Sequence, residues 1–359
     1  MSMMTALLKE IAENGAVERI AKKLPRVPTQ VNARHQSDAE ILDVGLEGHY
    51  LAATTDSIAE EIQTGLYSDP WLMGWMAVVV NLSDLAATGA TPLGMLLAFT
   101  ISPDWDDVFV GKITEGAGAA LTAHGCGSLG GDLNTGSPVL GGTAIGIVEK
   151  KRLKQRIGIT DGDYVYATGP AGMGGAYALL QLSGEGTASS DIVYKPEAKL
   201  AAANIIAPYA TACMDTSDGF IATLDQLFRL NRATICLEDL PGIVHPSVAT
   251  LAETSGIPLL CFLAAIHGEF ELCFTVAESR NEDFMSHVAS FGFHPVRVGR
   301  VKANADASQA GLFIKNCRLP SGDIRNLWSR TESMKEYLTA LSILAETFSK
   351  RVAAGEACL

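Results

Sequence analysis

The sequence predicts a mixed α/β protein built as two domains, and three observations carry that expectation. Strand-like and helix-like segments alternate through the first half of the chain. The length, 359 residues, exceeds the roughly 100–200 residues of a common domain. A basic knot, Lys150-Lys151-Arg152-Lys154-Arg156, is followed by an Asp161-Gly162-Asp163 turn. That punctuation places a boundary near 150–160 and divides the chain into 1–155, 156–330 and a helical extension over 331–359.

The elements follow in order. Leu7, Leu8, Ile11, Val17 and Ile20 recur near a helical period, so a helix is expected over 4–24. Strands are expected over Ala39–Val44 and His49–Thr55, the second leading into Asp56. Residues 70–88 carry the clearest helix, with Pro70 suited to the first turn and Gly89 and Pro92 to stop it. Its apolar residues cover most of the circumference, so it should be deeply buried. A strand over Leu93–Ile101 and a helix over about 106–124, capped by Asp104 or a neighbour, come next. Leu129-Gly130-Gly131-Asp132 then leads to a strand near 138–148. In the second half, strands are expected over Tyr164–Thr168, Ala212–Met214 and Glu269–Val276. Helices are expected after Gly169–Gly175, over 196–210, from Gly219 to about Arg229, over 280–291 and from Glu332 onward.

Composition excludes several classes. Hydrophobic residues make up 48% and charged residues 19%, which is not the profile of a disordered chain. Forty acidic against 27 basic residues leave a formal charge of −13, with no basic face for nucleic acid. Seven cysteines, from Cys126 to Cys358, are odd in number and form no C-x-x-C pair, which suits a reducing, cytoplasmic compartment. No signal peptide and no unbroken apolar run of the ~18 residues a span requires is expected.

The chemistry-bearing residues are aspartates beside Gly, Ser or Thr: Asp38, Asp56, Asp84, Asp132, Asp215 and Asp218. Asp84 is the most telling, because it sits in the nearly all-apolar Val80-Asn81-Leu82-Ser83-Asp84-Leu85-Ala86-Ala87. No Lys or Arg lies anywhere between Arg34 and Lys112 to pair with it. A charge buried in such a setting needs a counter-charge. If several of these acids converge, each pair at ~4 Å repels by roughly 4 kcal/mol at an effective dielectric near 20. Hard oxygen ligands of this kind suit Mg²⁺, with Thr54 and Thr55 supplying further oxygens. The competing reading makes the same aspartates turn formers and helix caps.

Other chemistries find less support. The phosphate-binding loop G-x-x-x-x-G-K-[ST] is absent from the sequence. Gly169–Gly175 either faces an anion with its amides or forms a tight strand-to-helix turn. Its spacing departs from the dinucleotide fingerprint, and Asp191 is not on a convincing strand end. The seven histidines show no metal-ligand spacing.

A set of motifs in order resembles a known family: Thr54-Thr55-Asp56, Asn81-Leu82-Ser83-Asp84-Leu85-Ala86-Ala87-Thr88-Gly89-Ala90, Gly130-Gly131-Asp132, Arg156 with Gly162-Asp163, and Asp215-Thr216-Ser217-Asp218-Gly219. Over about residues 36–300 the chain is similar to the thiamine-monophosphate kinase family, within the superfamily of aminoimidazole ribonucleotide synthetase. That resemblance implies a two-domain synthetase-like fold, with the N-terminal sheet forming a barrel across a homodimer. It implies ATP as co-substrate and Mg²⁺, with transfer of the γ-phosphate to thiamine monophosphate. Asp38, Thr54, Thr55, Asp56, Asp84, Asp132, Asp215 and Asp218 would hold metal. Asp56, Asp84 and Asp215 would be central to catalysis. Gly131, Asp132, Arg156 and Ser217 would contact the nucleotide. The acceptor motifs depart from the family pattern. Gln63 stands where a histidine is usual, and Gly268-Glu269-Phe270-Glu271-Leu272 is one residue short of G-E-D-Y-E-L. Gln63 and Glu269 are the candidate acceptor contacts. Two alternatives stay open: a synthetase-related enzyme that activates a different acceptor, and a non-catalytic ATP-binding dimer.

Overall fold

A computed structural model describes residues 7–183, 192–302 and 310–354. Asp191, Cys358 and the start of the helix expected over 4–24 lie outside them. The chain forms two compact units that interleave in sequence. One comprises Thr29–Gln155 and Lys195–Pro208, and the other the described residues of Met1–Pro28, Arg156–Tyr194 and Tyr209–Leu359.

The first unit is built on a five-stranded sheet. Its strands are β1 (Glu40–Leu42), β2 (His49–Ser57), β3 (Thr91–Ile101), β4 (Ser128–Thr135) and β5 (Val139–Glu149), in the order β1-β2-β5-β3-β4. All neighbours are antiparallel except β3 and β4, which run parallel. A parallel pair needs a crossover, and the helix Asp107–Ala123 supplies it. Asp106, the neighbour of Asp104, caps that helix by accepting the Phe109 amide at 2.8 Å.

The helix Pro70–Thr88 has the expected bounds. Asp69 accepts the Trp71 amide, Pro70 fills the first turn, and Gly89 ends the helix with φ 75°. It is long and apolar enough to cross a membrane, but 89% of its most apolar window is buried inside the unit. That is the setting of a core helix. It meets Asp107–Ala123 through two glycines. A Cβ on Gly74 would lie 1.8 Å from the Ile113 carbonyl, and one on Gly116 would lie 1.9 Å from the Trp71 carbonyl. Gly116→Val should therefore force the helices apart and destabilise by about 3 kcal/mol. Gly118→Ala, on the same helix with open space around it, should be neutral or slightly stabilising. Urea unfolding of both variants checks the contrast.

The segment Lys195–Pro208 belongs to this unit for identifiable reasons. Trp75 donates its indole N–H to the Pro196 carbonyl at 2.6 Å. Ala198 donates its amide to His124 Nε2 at 2.9 Å, and the Lys195 ammonium lies 4.1 Å over the Trp75 ring. These contacts keep the residues before Leu200 out of the helix, so the helix expected over 196–210 spans only Leu200–Ile206.

The second unit carries a seven-stranded sheet. Its strands are β6 (Tyr164–Ala167), β7 (Ala210–Asp215), β8 (Thr234–Leu237), β9 (Leu272–Val276), β10 (Val296–Lys302), β11 (Gly311–Ile314) and β12 (Cys317–Arg318). Their order is β12-β11-β8-β10-β6-β9-β7. The final helix, Met334–Ala353, is part of this unit's core: Tyr337, Leu341, Ala345 and Phe348 pack with Leu224, Phe228 and Leu312.

The helix expected over 4–24 is broken. Ile11 is extended, and the helix proper is Ala12–Ala21. The break is tertiary in origin. Asn326 Oδ1 accepts the Ala12 amide at 2.9 Å, and the buried Arg229 donates to Glu10 at 2.6 Å and to the Leu7 carbonyl at 2.9 Å. Val17 and Ile20, counted in the apolar stripe, are exposed.

Candidate active site

In the first unit, Asp84 is presented by the core helix Pro70–Thr88 and is half-buried. Thr54 on β2 donates its hydroxyl to Asp84 Oδ2 at 2.5 Å. Asp38 approaches from the segment before β1, and its ligand oxygen lies within 4.8 Å of that of Asp84. Asp56 is exposed at the end of β2. Its backbone is clamped by Asn81, which accepts the Asp56 amide at 2.9 Å and donates to the Asp56 carbonyl at 3.2 Å. Asp56 Oδ1 accepts the Ser57 amide at 2.7 Å.

Thr55 departs from the expectation. Side chains alternate across a strand, so Thr54 and Asp56 share one face of β2 and Thr55 takes the other. Its hydroxyl donates to the Gly142 carbonyl at 2.8 Å. It does not join Asp84.

Gly130-Gly131-Asp132, expected to lead into a strand near 138–148, is itself part of a strand. It lies within β4, an edge strand exposed along its whole length. Gly131 pairs with Leu97, and a Cβ there would come 1.7 Å from the Leu97 carbonyl. Asp132 is exposed and accepts the Asn134 side-chain amide at 2.7 Å. Gln63 is exposed at the last position of the short helix Ala59–Gln63.

In the second unit, β7 ends at Asp215, which is 1% exposed. Ser217 donates its hydroxyl to Asp215 Oδ1 at 2.8 Å, and Asp218 is exposed beside it. The next helix starts directly, at Phe220. Arg156 is half-buried, and its carbonyl accepts the Asn231 side-chain amide at 2.8 Å.

The strand expected from Glu269 begins only at Leu272, and Glu269 precedes it in a loop. Its side chain is not at an open surface. It is buried, and Oε2 accepts the Gly172 amide at 2.9 Å. The Gly169–Gly175 stretch is thus a tight turn into the helix Met173–Leu182, and the acceptor facing its Gly172 amide is the chain's own Glu269 carboxyl. Burial pushes Glu269 up to about 8; the neighbouring Glu271 adds to the rise, while the Gly172 and Gly174 amides and the Thr216 hydroxyl oppose it. An acid whose pKa rises on folding gives stability that is full below its unfolded value, near 4.5, and lost as pH rises to about 8. Glu269→Gln should flatten the fall in unfolding free energy across that window, as urea titrations at stepped pH would record.

His267 is buried among Tyr177, Tyr194 and Phe270. Burial lowers its pKa to about 3, so it is a neutral packing residue.

The donor set fits Mg²⁺ chemically. Carboxylate and hydroxyl oxygens predominate on the motifs, and the Thr54 hydroxyl already stands against Asp84.

Comparison with known proteins gives this arrangement its family. Residues 36–148 match the family model of AIR synthase related protein, N-terminal domain. Thiamine-monophosphate kinase of Halobacterium salinarum is 31% identical over 255 residues, covering 71% of this chain and 85% of that protein. The chain belongs to the thiamine-monophosphate kinase family. The family's member in Synechococcus elongatus is 30% identical over 250 residues, covering 65% of this chain and 74% of its own length. A solved structure, AaThiL complexed with AMPPCP and TMP, has a similar fold, with a TM-score of 0.68 over 86% of this chain and 94% of that one at 22% identity.

Within this kinase family member, three supporting residues escaped the sequence reading. Asn81 holds the Asp56 backbone. Thr216 is fully buried and anchors the Asp215 loop through its amide and hydroxyl. Asn231 holds Arg156 and also accepts the Gly158 amide at 2.9 Å. Asn81 and Thr216 lie inside the quoted motifs, which was the available signal; Asn231 had none.

Proposed function

We propose that this chain is a Mg²⁺-dependent kinase that transfers the γ-phosphoryl group of ATP to the phosphate of thiamine monophosphate, giving thiamine diphosphate and ADP. The observation that carries the reading is the 31% identity to a thiamine-monophosphate kinase across 85% of that enzyme. The solved relative bound to AMPPCP and TMP supports the same pair of substrates.

Asp38, Asp56, Asp84 and Asp132 would be metal ligands of the first unit, with Thr54 orienting Asp84, and Asp215 and Asp218 would be metal ligands of the second. Bound Mg²⁺ would neutralise phosphate charge. Gly131, Asp132, Arg156 and Ser217 would contact the nucleotide, and Gln63 would face the acceptor. An oxygen of the acceptor phosphate attacks the γ-phosphorus, and the bond to the β–γ bridging oxygen breaks, leaving ADP. The attacking oxygen is already anionic at neutral pH, since the second pKa of such a phosphate is about 6. No side chain has to remove a proton. The chain's task is positioning and charge neutralisation, which suits a site built on acids.

We further propose a homodimer in which the β1–β5 sheet closes against its copy. Support comes from Leu93, Leu96, Leu129 and Leu133, all exposed on β3, β4 and their borders, and from the unpaired edge of β4. Light scattering should give twice the chain mass, and Leu133→Glu should shift it toward one. A cytoplasmic location remains part of this reading.

The functional test is conversion of thiamine monophosphate to the diphosphate, followed chromatographically with and without EDTA. Mg²⁺-dependent conversion supports the kinase. Nucleotide hydrolysis with the monophosphate intact would favour the synthetase-related alternative, and binding without turnover the non-catalytic one.

A further inference from the structure

The segment His267–Glu271 wraps the loop that carries Asp215 and Asp218. Gly268 donates its amide to the Ser217 carbonyl at 3.0 Å. It lies so close to Thr216 that a Cβ on Gly268 would sit 1.4 Å from the Thr216 carbonyl oxygen. Glu271 closes a two-way bridge: its carbonyl accepts the Thr216 amide at 2.8 Å, and its amide donates to the Thr216 hydroxyl oxygen at 3.0 Å. Between the two acids, Phe270 is held at φ 58°, a left-handed conformation that disfavours non-glycine residues, and it is buried there.

The same segment grips the glycine turn from the other side. Glu269 takes the Gly172 amide. Glu271 accepts the Thr168 hydroxyl and covers Gly169, where a Cβ would come 2.7 Å from Glu271 Oε1. Gly174 packs on the Gly268 backbone at a distance no side chain would allow.

We infer that Glu269 is a positioning residue that ties the Gly169–Gly175 turn to the Asp215–Gly219 loop, and not a contact to the acceptor. Thr216 is the joint through which it acts. The shortened motif thereby sets where Asp215 and Ser217 stand. The kinase reading enters only through the activity arm of the test.

The experiment is amide hydrogen exchange on the full chain, comparing wild type, Glu269→Ala and Glu269→Gln. In Glu269→Ala, exchange should rise at least tenfold in both 169–175 and 215–219, with the first unit unchanged. Glu269→Gln should restore most of the protection, because its carboxamide oxygen still accepts the Gly172 amide. Thr216→Val, which keeps the volume and removes the hydroxyl, should loosen the same two segments and serves if the alanine variant does not fold. In turnover, kcat of Glu269→Ala should fall at least tenfold while KM for thiamine monophosphate stays within twofold. Faster exchange confined to 169–175 would overturn the inference. So would a large rise in that KM with 215–219 unchanged. An inactive wild type would defeat the kinase reading and leave the exchange result to decide this one.

Discussion

Asp84→Asn is expected to reduce turnover by about a thousandfold, close to 4 kcal/mol of barrier, while leaving the fold intact. The argument starts from the helix that carries it. Pro70–Thr88 is buried along nearly its whole length, and Asp84 is its one acidic residue. Asp38 presents a second carboxylate oxygen within 4.8 Å, so without metal the two repel. Asparagine keeps an oxygen to accept the Thr54 hydroxyl and removes the charge. In EDTA the variant should therefore unfold at the same or a higher urea concentration than wild type. With Mg²⁺ and ATP present, the wild type should gain stability by ligand binding and the variant should gain much less. Kinetics and urea midpoints in the two buffers check both halves. Full activity in the variant would remove Asp84 from the site.

Gly268→Ala is expected to be the most damaging methyl addition in the second unit, at about 3 kcal/mol. The obstacle is backbone: the new Cβ would lie 1.4 Å from the Thr216 carbonyl oxygen and 3.0 Å from the Gly219 amide nitrogen. No side-chain rotation relieves that, so the loop bearing Asp215 and Asp218 has to move. The urea midpoint should fall at unchanged slope, and Mg²⁺-dependent nucleotide binding should weaken with it. Gly118→Ala gives the baseline for a glycine with room.

Much of this was legible in the sequence wherever local chemistry and tertiary environment agree. Pro70 and Gly89 bracket a helix whose all-round apolarity announces burial, and its solitary Asp84 stands out against that background. The Asp215–Gly219 loop is equally plain, because a short strand runs into it and a helix starts at once after it. What escaped depends on partners distant in sequence. Gly130-Gly131-Asp132 carries no strand signal of its own, because it lies in an edge strand exposed on both faces, where no alternation of apolar residues can register. The first helix breaks at Ile11 because Asn326, more than 300 residues away, caps Ala12. Glu269 looks like a surface acid by composition, and only the packing of Gly172, Gly174 and Thr216 around it reveals a buried one. Thr55 could have been separated from Thr54 and Asp56 by strand alternation alone.

The central claim is direct transfer of a phosphoryl group between two phosphates. A phosphorus NMR time course of the full chain with Mg-ATP and thiamine monophosphate tests it most directly. The account predicts that the monophosphate signal is replaced by a diphosphate pair in step with the appearance of ADP, without inorganic phosphate. Persistent ATP, or free phosphate accumulating beside unchanged thiamine monophosphate, would contradict it.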